Sequence, residues 1–325
     1  MEYGYLGRSG LQVSRVCLGT MNFGPVIDEE ASRGVLDLAI EQGVNFVDSA
    51  DVYGGPPWGP HNGLTEEILG RWLHDGGPAL RDRIVLATKV HGTMGDGPND
   101  KHLSALHIRQ AVDASLRRLQ TDRIDLYQMH HIDRRTPIDE VYEAFSLLRQ
   151  QGKILYLGSS NFAGWNLAQY QEFARATGRT GLVSEQSVYS LANRAIELEV
   201  VPAARHYGIG LLPWSPLAGG LLGGILRKGD RSRSAKALEA PGVSVEQVER
   251  YEALADEWGH EPAELGLAWL LHQPQVASVV SGPRTAAQLT SAIAALDIAL
   301  SAEQLAALDE VWPGPGGEAP EAYAW

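Results

Sequence analysis

Apolar positions along the chain repeat with two different periods, and the two alternate. Short runs of aliphatic and β-branched residues occupy 13–19, 45–50, 84–90, 124–130, 154–159, 182–186, 208–214 and 276–281. Each has the length and density of a strand buried on both faces. Between them, 29–42, 65–74, 104–119, 137–150 and 165–177 place apolar residues three and four apart, which predicts helices with one buried stripe. Strand followed by helix, repeated along the chain, predicts parallel strands joined by crossovers. A closed barrel and an open doubly wound sheet both accept such a string. The first turn separates them: an open dinucleotide-binding sheet carries G-x-G-x-x-G there, whereas this chain reads Gly19-Thr20-Met21-Asn22-Phe23-Gly24. The predicted fold class is α/β, a single (β/α)8 TIM barrel.

No Pro/Gly/Ser-rich linker interrupts the alternation, so one domain is expected over residues 1–325. Two segments break the repeat. One, 217–242, is glycine-rich and then basic through Arg227, Lys228, Arg231, Arg233 and Lys236, and reads as a long loop after the seventh strand. The other is the tail, 313–325, which has no periodicity but carries Tyr323 and Trp325 near its end. The tail is expected to fold over the barrel mouth, with an aromatic in the substrate pocket wall; a frayed terminus is the alternative.

Composition narrows the function. The 325 residues are 44% hydrophobic and 21% charged, the balance of a chain that buries a sizeable core. A formal charge of −13 repels phosphate backbones, so no nucleic-acid partner is expected. Cys17 is the only cysteine, which excludes an intrachain disulfide and a cysteine-rich metal site, and it reads as a small core residue. The N-terminus lacks a basic flank followed by an apolar stretch, and no run approaches the roughly 18 apolar residues of a membrane span. A cytoplasmic protein without a membrane partner is expected.

In a barrel of this kind, chemistry gathers at the carboxyl ends of the strands, whose loops vary without disturbing the core. Those ends carry Asp48, with Tyr53 just beyond, then Lys89, then His130. An acid, a phenol, an ammonium and an imidazole on one rim suit carbonyl reduction, because hydride delivery leaves an alkoxide that must be stabilised and protonated. Tyr53 would donate the proton. Its ordinary pKa of about 10 would be drawn down by Lys89, which Asp48 would hold charged, while His130 would bond the carbonyl oxygen. Taken singly, Asp48 reads equally as a turn or cap residue, Tyr53 as a loop aromatic, Lys89 as a solvated charge and His130 as a structural group. Their conjunction at successive strand ends favours the chemical reading. A metal site from His130, His131 and Asp133 is the competing constellation; adjacent strand positions face opposite ways, so no metal is expected.

These residues sit in motifs that resemble the aldo-keto reductase family. The matches run from Leu6-Gly7-Arg8-Ser9-Gly10-Leu11 through Asn45-Phe46-Val47-Asp48-Ser49-Ala50-Asp51-Val52-Tyr53-Gly54 to Asp125-Leu126-Tyr127-Gln128-Met129-His130. Gly158-Ser159-Ser160-Asn161-Phe162, Trp214-Ser215-Pro216-Leu217 and Gly282-Pro283-Arg284 follow in order, so the resemblance covers nearly the whole chain. It implies a catalytic tetrad of Asp48, Tyr53, Lys89 and His130. It also implies a nicotinamide cofactor whose carboxamide meets Ser160, Asn161 and Gln186, whose ring stacks on Trp214, and whose pyrophosphate lies along Ser215, Leu217 and Gly219. Core packing is the other reading of Trp214. After the eighth strand the resemblance implies a phosphate site at Gly282, Arg284 and Gln288, where a helix N-terminus also favours negative charge, and hence NADP over NAD. Arg284 as a plain surface charge is the alternative. Ser291-Ala292 stands where many relatives have an acid-Asn pair facing adenine.

Within the family the chain is similar to bacterial members related to potassium-channel β-subunits, and particularly to dTDP-4-keto-6-deoxyhexose 2,3-reductases of antibiotic deoxysugar pathways. The resemblance rests on the stretches 54–63, 103–109 and 320–325. It implies a small-molecule carbonyl substrate, either a simple aldehyde or ketone or a nucleotide-linked keto-sugar. The basic stretch 227–236 either contacts a nucleotide diphosphate, closes over NADP, or is a solvated loop. A non-catalytic, NADP-binding redox-sensing subunit of a complex is the alternative function, against which the intact tetrad argues.

Overall fold

The computed structural model describes residues 1–228, 237–239 and 242–324 of the chain. Ten strands occur among them: β1 (Tyr3–Tyr5), β2 (Gln12–Ser14), β3 (Val16–Gly19), β4 (Phe46–Asp48), β5 (Val85–Val90), β6 (Ile124–Met129), β7 (Ile154–Ser160), β8 (Ser184–Gln186), β9 (Gly210–Leu211) and β10 (Val279–Ser281). Eight of them, β3 to β10, form one parallel sheet in the order β10-β3-β4-β5-β6-β7-β8-β9. The sheet closes on itself, since Leu211 N–H donates to Gln275 O at 2.8 Å and Ala277 N–H to Leu211 O at 2.9 Å. This is a (β/α)8 barrel.

The helices are α1 (Glu29–Glu41), α2 (Leu64–Arg81), α3 (Ala105–Leu119), α4 (Ile138–Gln150), α5 (Gly164–Ala176), α6 (Val200–Tyr207), α7 (Ile225–Lys228), α8 (Val245–Trp258), α9 (Pro262–Leu271), α10 (Ala286–Ala294), α11 (Ala302–Val311) and α12 (Glu321–Ala324). Side-chain caps start several of them: Asp28 accepts from Ala31 N–H, Ser104 from His107 N–H, and Ser244 and Ser301 form reciprocal capping boxes with Gln247 and Gln304.

Strand parity explains both the continuous apolar runs and the position of the site. Cys17, Phe46, Val85, Ala87 and Leu126 belong to the barrel interior cluster, while Leu18, Val47, Leu86 and Tyr127 pack outward in the larger core. Two residues further along each inward row the interior turns polar: Phe46 leads to Asp48, Ala87 to Lys89, Leu126 to Gln128. Register sets Lys89 opposite Gln128, while Asp48 lies opposite Ala87, two residues before Lys89 on the same inward row.

Several expectations change. The predicted strand 13–19 breaks at Arg15, whose guanidinium donates to Leu271 O at 2.6 Å and to Val276 O. Its first part turns back onto β1 as a hairpin that buries Leu6 and Val13 in the interior cluster. The predicted strand 208–214 keeps only β9, and Trp214 returns as a single bridge to Val188. In 217–242, Leu221, Leu222 and Ile225 are buried, so the start of this segment packs instead of looping. Arg227 pairs with Glu252 and Asp256 of α8 and is spent there; Arg231, Arg233 and Lys236 lie outside the described residues. The tail contacts the connection from β8 into α6: Ala319 N–H donates to Leu198 O at 2.9 Å, Glu318 pairs with Arg205 on α6, and Tyr323 is 69% exposed. Its short polar contacts are with the segment leading into α6, which holds it there. Trp325 lies outside the described residues. Among the described residues no helix is long and apolar enough to cross a membrane.

Candidate active site

Four strand ends deliver the polar cluster. Lys89 Nζ donates to Asp48 Oδ2 at 2.5 Å, to Ser49 O at 2.8 Å and to Tyr53 Oη at 3.2 Å. Both members of the Lys89–Asp48 pair are removed from water. The His130 ring stands edge-on to Tyr53 with centroids 5.9 Å apart. All four predicted tetrad residues therefore meet at one point. Asp48 Oδ1 accepts two more bonds, from Gln128 Nε2 at 2.8 Å and from Gln186 Nε2 at 3.0 Å. Gln128 was missed from the sequence, although it lies two residues after Leu126 on the inward row of β6. Room for it inside the barrel comes from Gly158, where a Cβ would meet Gln128 Cγ at 3.0 Å and Ser184 Oγ at 2.5 Å.

Electrostatics corrects one part of the expected chemistry. Burial pushes the Tyr53 phenol above its ordinary pKa; Lys89 pulls it down and Asp48 pushes it up, and the net direction is upward. Lys89 does pull it down as expected, but burial, which penalises phenolate, outweighs that pull with Asp48 adding to it. Burial also works against the charge on Lys89, but Asp48 and Tyr53 outweigh it and hold its pKa above the ordinary lysine value. His130 is held well below its usual range by burial and then by Lys89, His131 and His91. At neutral pH the set is thus a phenol, an ammonium, a carboxylate partnered to it and a neutral imidazole.

His131 also bears on the metal alternative. β6 ends at Met129, so strand alternation no longer applies at residues 130 and 131, and the two rings stack at 5.1 Å with 11° between planes. Strand alternation therefore does not separate the two imidazoles. Among the described residues no group of three or more His, Cys, Asp or Glu could hold a metal ion.

The residues assigned to a cofactor lie beside this cluster on the same rim. Asn161 has a left-handed backbone, φ 58°, and its amide Nδ2 donates to His130 O at 3.1 Å and to Ser160 Oγ at 3.0 Å. Trp214 is 37% exposed and is anchored by Nε1 donating to Asn161 Oδ1 at 3.2 Å, so core packing is not its role. Ser215, Ala218 and Gly219 follow with φ of 54°, 48° and 68°, and Gly219 N–H turns to Ser215 Oγ at 3.2 Å. A Cβ at Gly219 would meet nothing within 4 Å, so this left-handed turn presents backbone to open space. Such a turn, a half-exposed indole and amide-bearing residues fit a planar ring joined to a diphosphate.

The phosphate-site residues lie after β10. Gly282 O accepts from Asn22 Nδ2 at 2.8 Å, and Thr285 caps α10. Arg284 is exposed, and its guanidinium has no acidic partner among the described residues. Gln288 is folded back: its Oε1 accepts from Arg284 N–H at 2.8 Å, which places it as a brace of the turn.

Comparison with known proteins agrees with this geometry. Residues 15–313 match the Aldo/keto reductase family. A Bacillus subtilis (strain 168) protein, Uncharacterized oxidoreductase YrpG, is 50% identical over 330 residues and covers 100% of both chains. A Probable voltage-gated potassium channel subunit beta of Arabidopsis thaliana is 37% identical over 313 residues, 92% of each chain. The L-glyceraldehyde 3-phosphate reductase of Escherichia coli (strain K12) is 30% identical over 324 residues, 95% of this chain and 92% of that one.

Proposed function

The chain belongs to the aldo/keto reductase family of oxidoreductases, and on that premise we propose that it reduces a carbonyl with NADPH, Tyr53 being the proton donor. The observation that carries this reading is the buried contact of Lys89 Nζ with both Asp48 Oδ2 and Tyr53 Oη, with His130 beside the phenol. NADPH, when bound, supplies the hydride. The protein's own groups manage the oxygen. Neutral His130 donates one hydrogen bond to the carbonyl oxygen and orients it. Tyr53 gives its proton to that oxygen, and Lys89, charged and fixed by Asp48, stabilises the phenolate left behind.

In this reading Ser160, Asn161 and Gln186 hold the carboxamide and Trp214 the nicotinamide face. Ser215, Leu217 and Gly219 line the pyrophosphate, and Gly282, Arg284 and Gln288 form the 2′-phosphate end. The Arg284 guanidinium, without an acidic partner among the described residues, supports NADP over NAD. The substrate class is aldehydes and ketones. A dTDP-linked keto-sugar is the narrower proposal drawn from the sequence resemblance, and a phosphorylated small aldehyde is drawn from the name of the Escherichia coli relative.

The test follows NADPH consumption across simple aldehydes, ketones, a phosphorylated aldehyde and a nucleotide-linked keto-sugar. Turnover that disappears in Tyr53→Phe supports the proposal. The likeness to a channel subunit favours a second reading, a non-catalytic NADP-binding subunit. Tight NADPH binding without turnover of any carbonyl would replace the first reading with that one.

A further inference from the structure

We infer that Glu185 is a positioning residue for the nicotinamide end of the cofactor site, holding the Asn161 turn in shape from the outer side of the barrel wall. The inference rests on the reading that this turn meets the carboxamide.

On β8, Gln186 points into the barrel to Asp48, so by strand parity Glu185 points the opposite way. Its carboxylate is fully buried and has no cationic partner among the described residues. It accepts instead from Ser159 Oγ, from Ser187 Oγ at 2.7 Å and from Phe162 N–H at 3.1 Å. Ser159 lies directly across the strand pair from Glu185, and the donors come from both strand ends that flank the turn. An acid taken out of water without a cation is costly in its charged form, and apolar packing would serve stability better. What the acid does locally is geometric.

Asn161 is the reason. Its backbone is left-handed, a conformation that asparagine accepts as a single residue when local hydrogen bonds hold it. Consecutive residues of β8 capture consecutive amides of the turn. Asn161 N–H donates to Gln186 O at 3.0 Å, and Phe162 N–H donates to the Glu185 carboxylate. The side chain of Asn161 is thereby aimed at His130 O and the Trp214 indole. Ala163, the N-cap of α5, offers no side-chain cap, and the Glu185 carboxyl accepts from Phe162 N–H immediately before that helix start.

Binding of NADPH and of adenosine 2′,5′-bisphosphate, a fragment without nicotinamide, would be measured for Glu185→Ala, Glu185→Gln and Asn161→Ala. Glu185→Ala is expected to weaken NADPH about tenfold and leave the fragment unchanged. Glu185→Gln, which still accepts from Phe162 N–H, should recover most of that loss. If Glu185→Ala misfolds and loses the fragment as well, Ser159→Ala combined with Ser187→Ala takes its place, with the same split expected. Unchanged NADPH affinity in a folded Glu185 variant, while Asn161→Ala binds poorly, would overturn the inference alone. Unchanged affinity in Asn161→Ala as well would overturn the reading of the turn beneath it.

Discussion

Lys89 Nζ lies 2.5 Å from Asp48 Oδ2, and neither side chain reaches solvent. Breaking such a pair strands a buried charge, so Asp48→Asn is expected to cost about 3–5 kcal/mol in denaturant titration. The pH behaviour follows from sign. The Lys89 pKa is raised in the folded protein, so the pair's stabilisation is complete below the ordinary lysine value and is lost only above it. The wild type should therefore show no Lys89 titration between pH 6 and 9, on the ordinary lysine value of about 10.4. In Asp48→Asn the main upward pull is gone and burial remains, so kcat should fall as pH rises through neutrality. A variant with wild-type stability and a flat profile would refute this.

Tyr53→Phe should lower kcat by roughly 10²–10⁴-fold and leave the NADPH Kd unchanged within about twofold, since the phenolic proton matters to the transition state alone. Because burial raises the Tyr53 pKa, wild-type reduction should stay flat toward alkaline pH and decline only beyond the ordinary tyrosine value of about 10. A basic limb near pH 8 in kcat would contradict the assignment.

Arg284→Ala should weaken NADPH roughly ten- to hundredfold and NADH hardly at all, the loss expected of a charge-assisted bond to a phosphate present only in NADPH. Fluorescence titration with both cofactors measures it. Equal losses would return Arg284 to a plain surface charge.

Burial lifts the Glu185 carboxyl to about 7 against the pull of Ser159, Ser187 and the Phe162 amide. The folded state then holds a proton that the unfolded state releases from about pH 4.3 upward, so stability declines as pH rises toward and through 7. The loss amounts to roughly 3–4 kcal/mol. Glu185→Gln removes it, so the difference in unfolding free energy between variant and wild type should move in the variant's favour from pH 5 to pH 8. A pH-independent difference would show that Glu185 does not titrate there.

Much of this was legible along the chain. Eight apolar runs alternating with helical spacing specify parallel strands and crossovers, because a two-sided buried strand and a one-sided helix leave different periods. Strand ends turning polar marked Asp48, Lys89 and His130, and parity alone would have added Gln128. Breaks within strands were not legible: the bend at Arg15 depends on carbonyls of residues 271, 276 and 277, distant in sequence.

What the sequence by itself determined was the order of elements and the residue types on each inward row, since both depend on local period and composition. Tertiary structure decided which charges neutralise which. Lys89 paired with Asp48 does draw the Tyr53 pKa down, but burial of the phenol, which the sequence did not show, outweighs it and sets the sign. Glu185 reads as one more polar residue on a short strand until Phe162, Ser159 and Ser187 are seen to converge on it. Pattern records which way a side chain points, but Coulomb and desolvation energies depend on distances and burial that exist only once the barrel has closed.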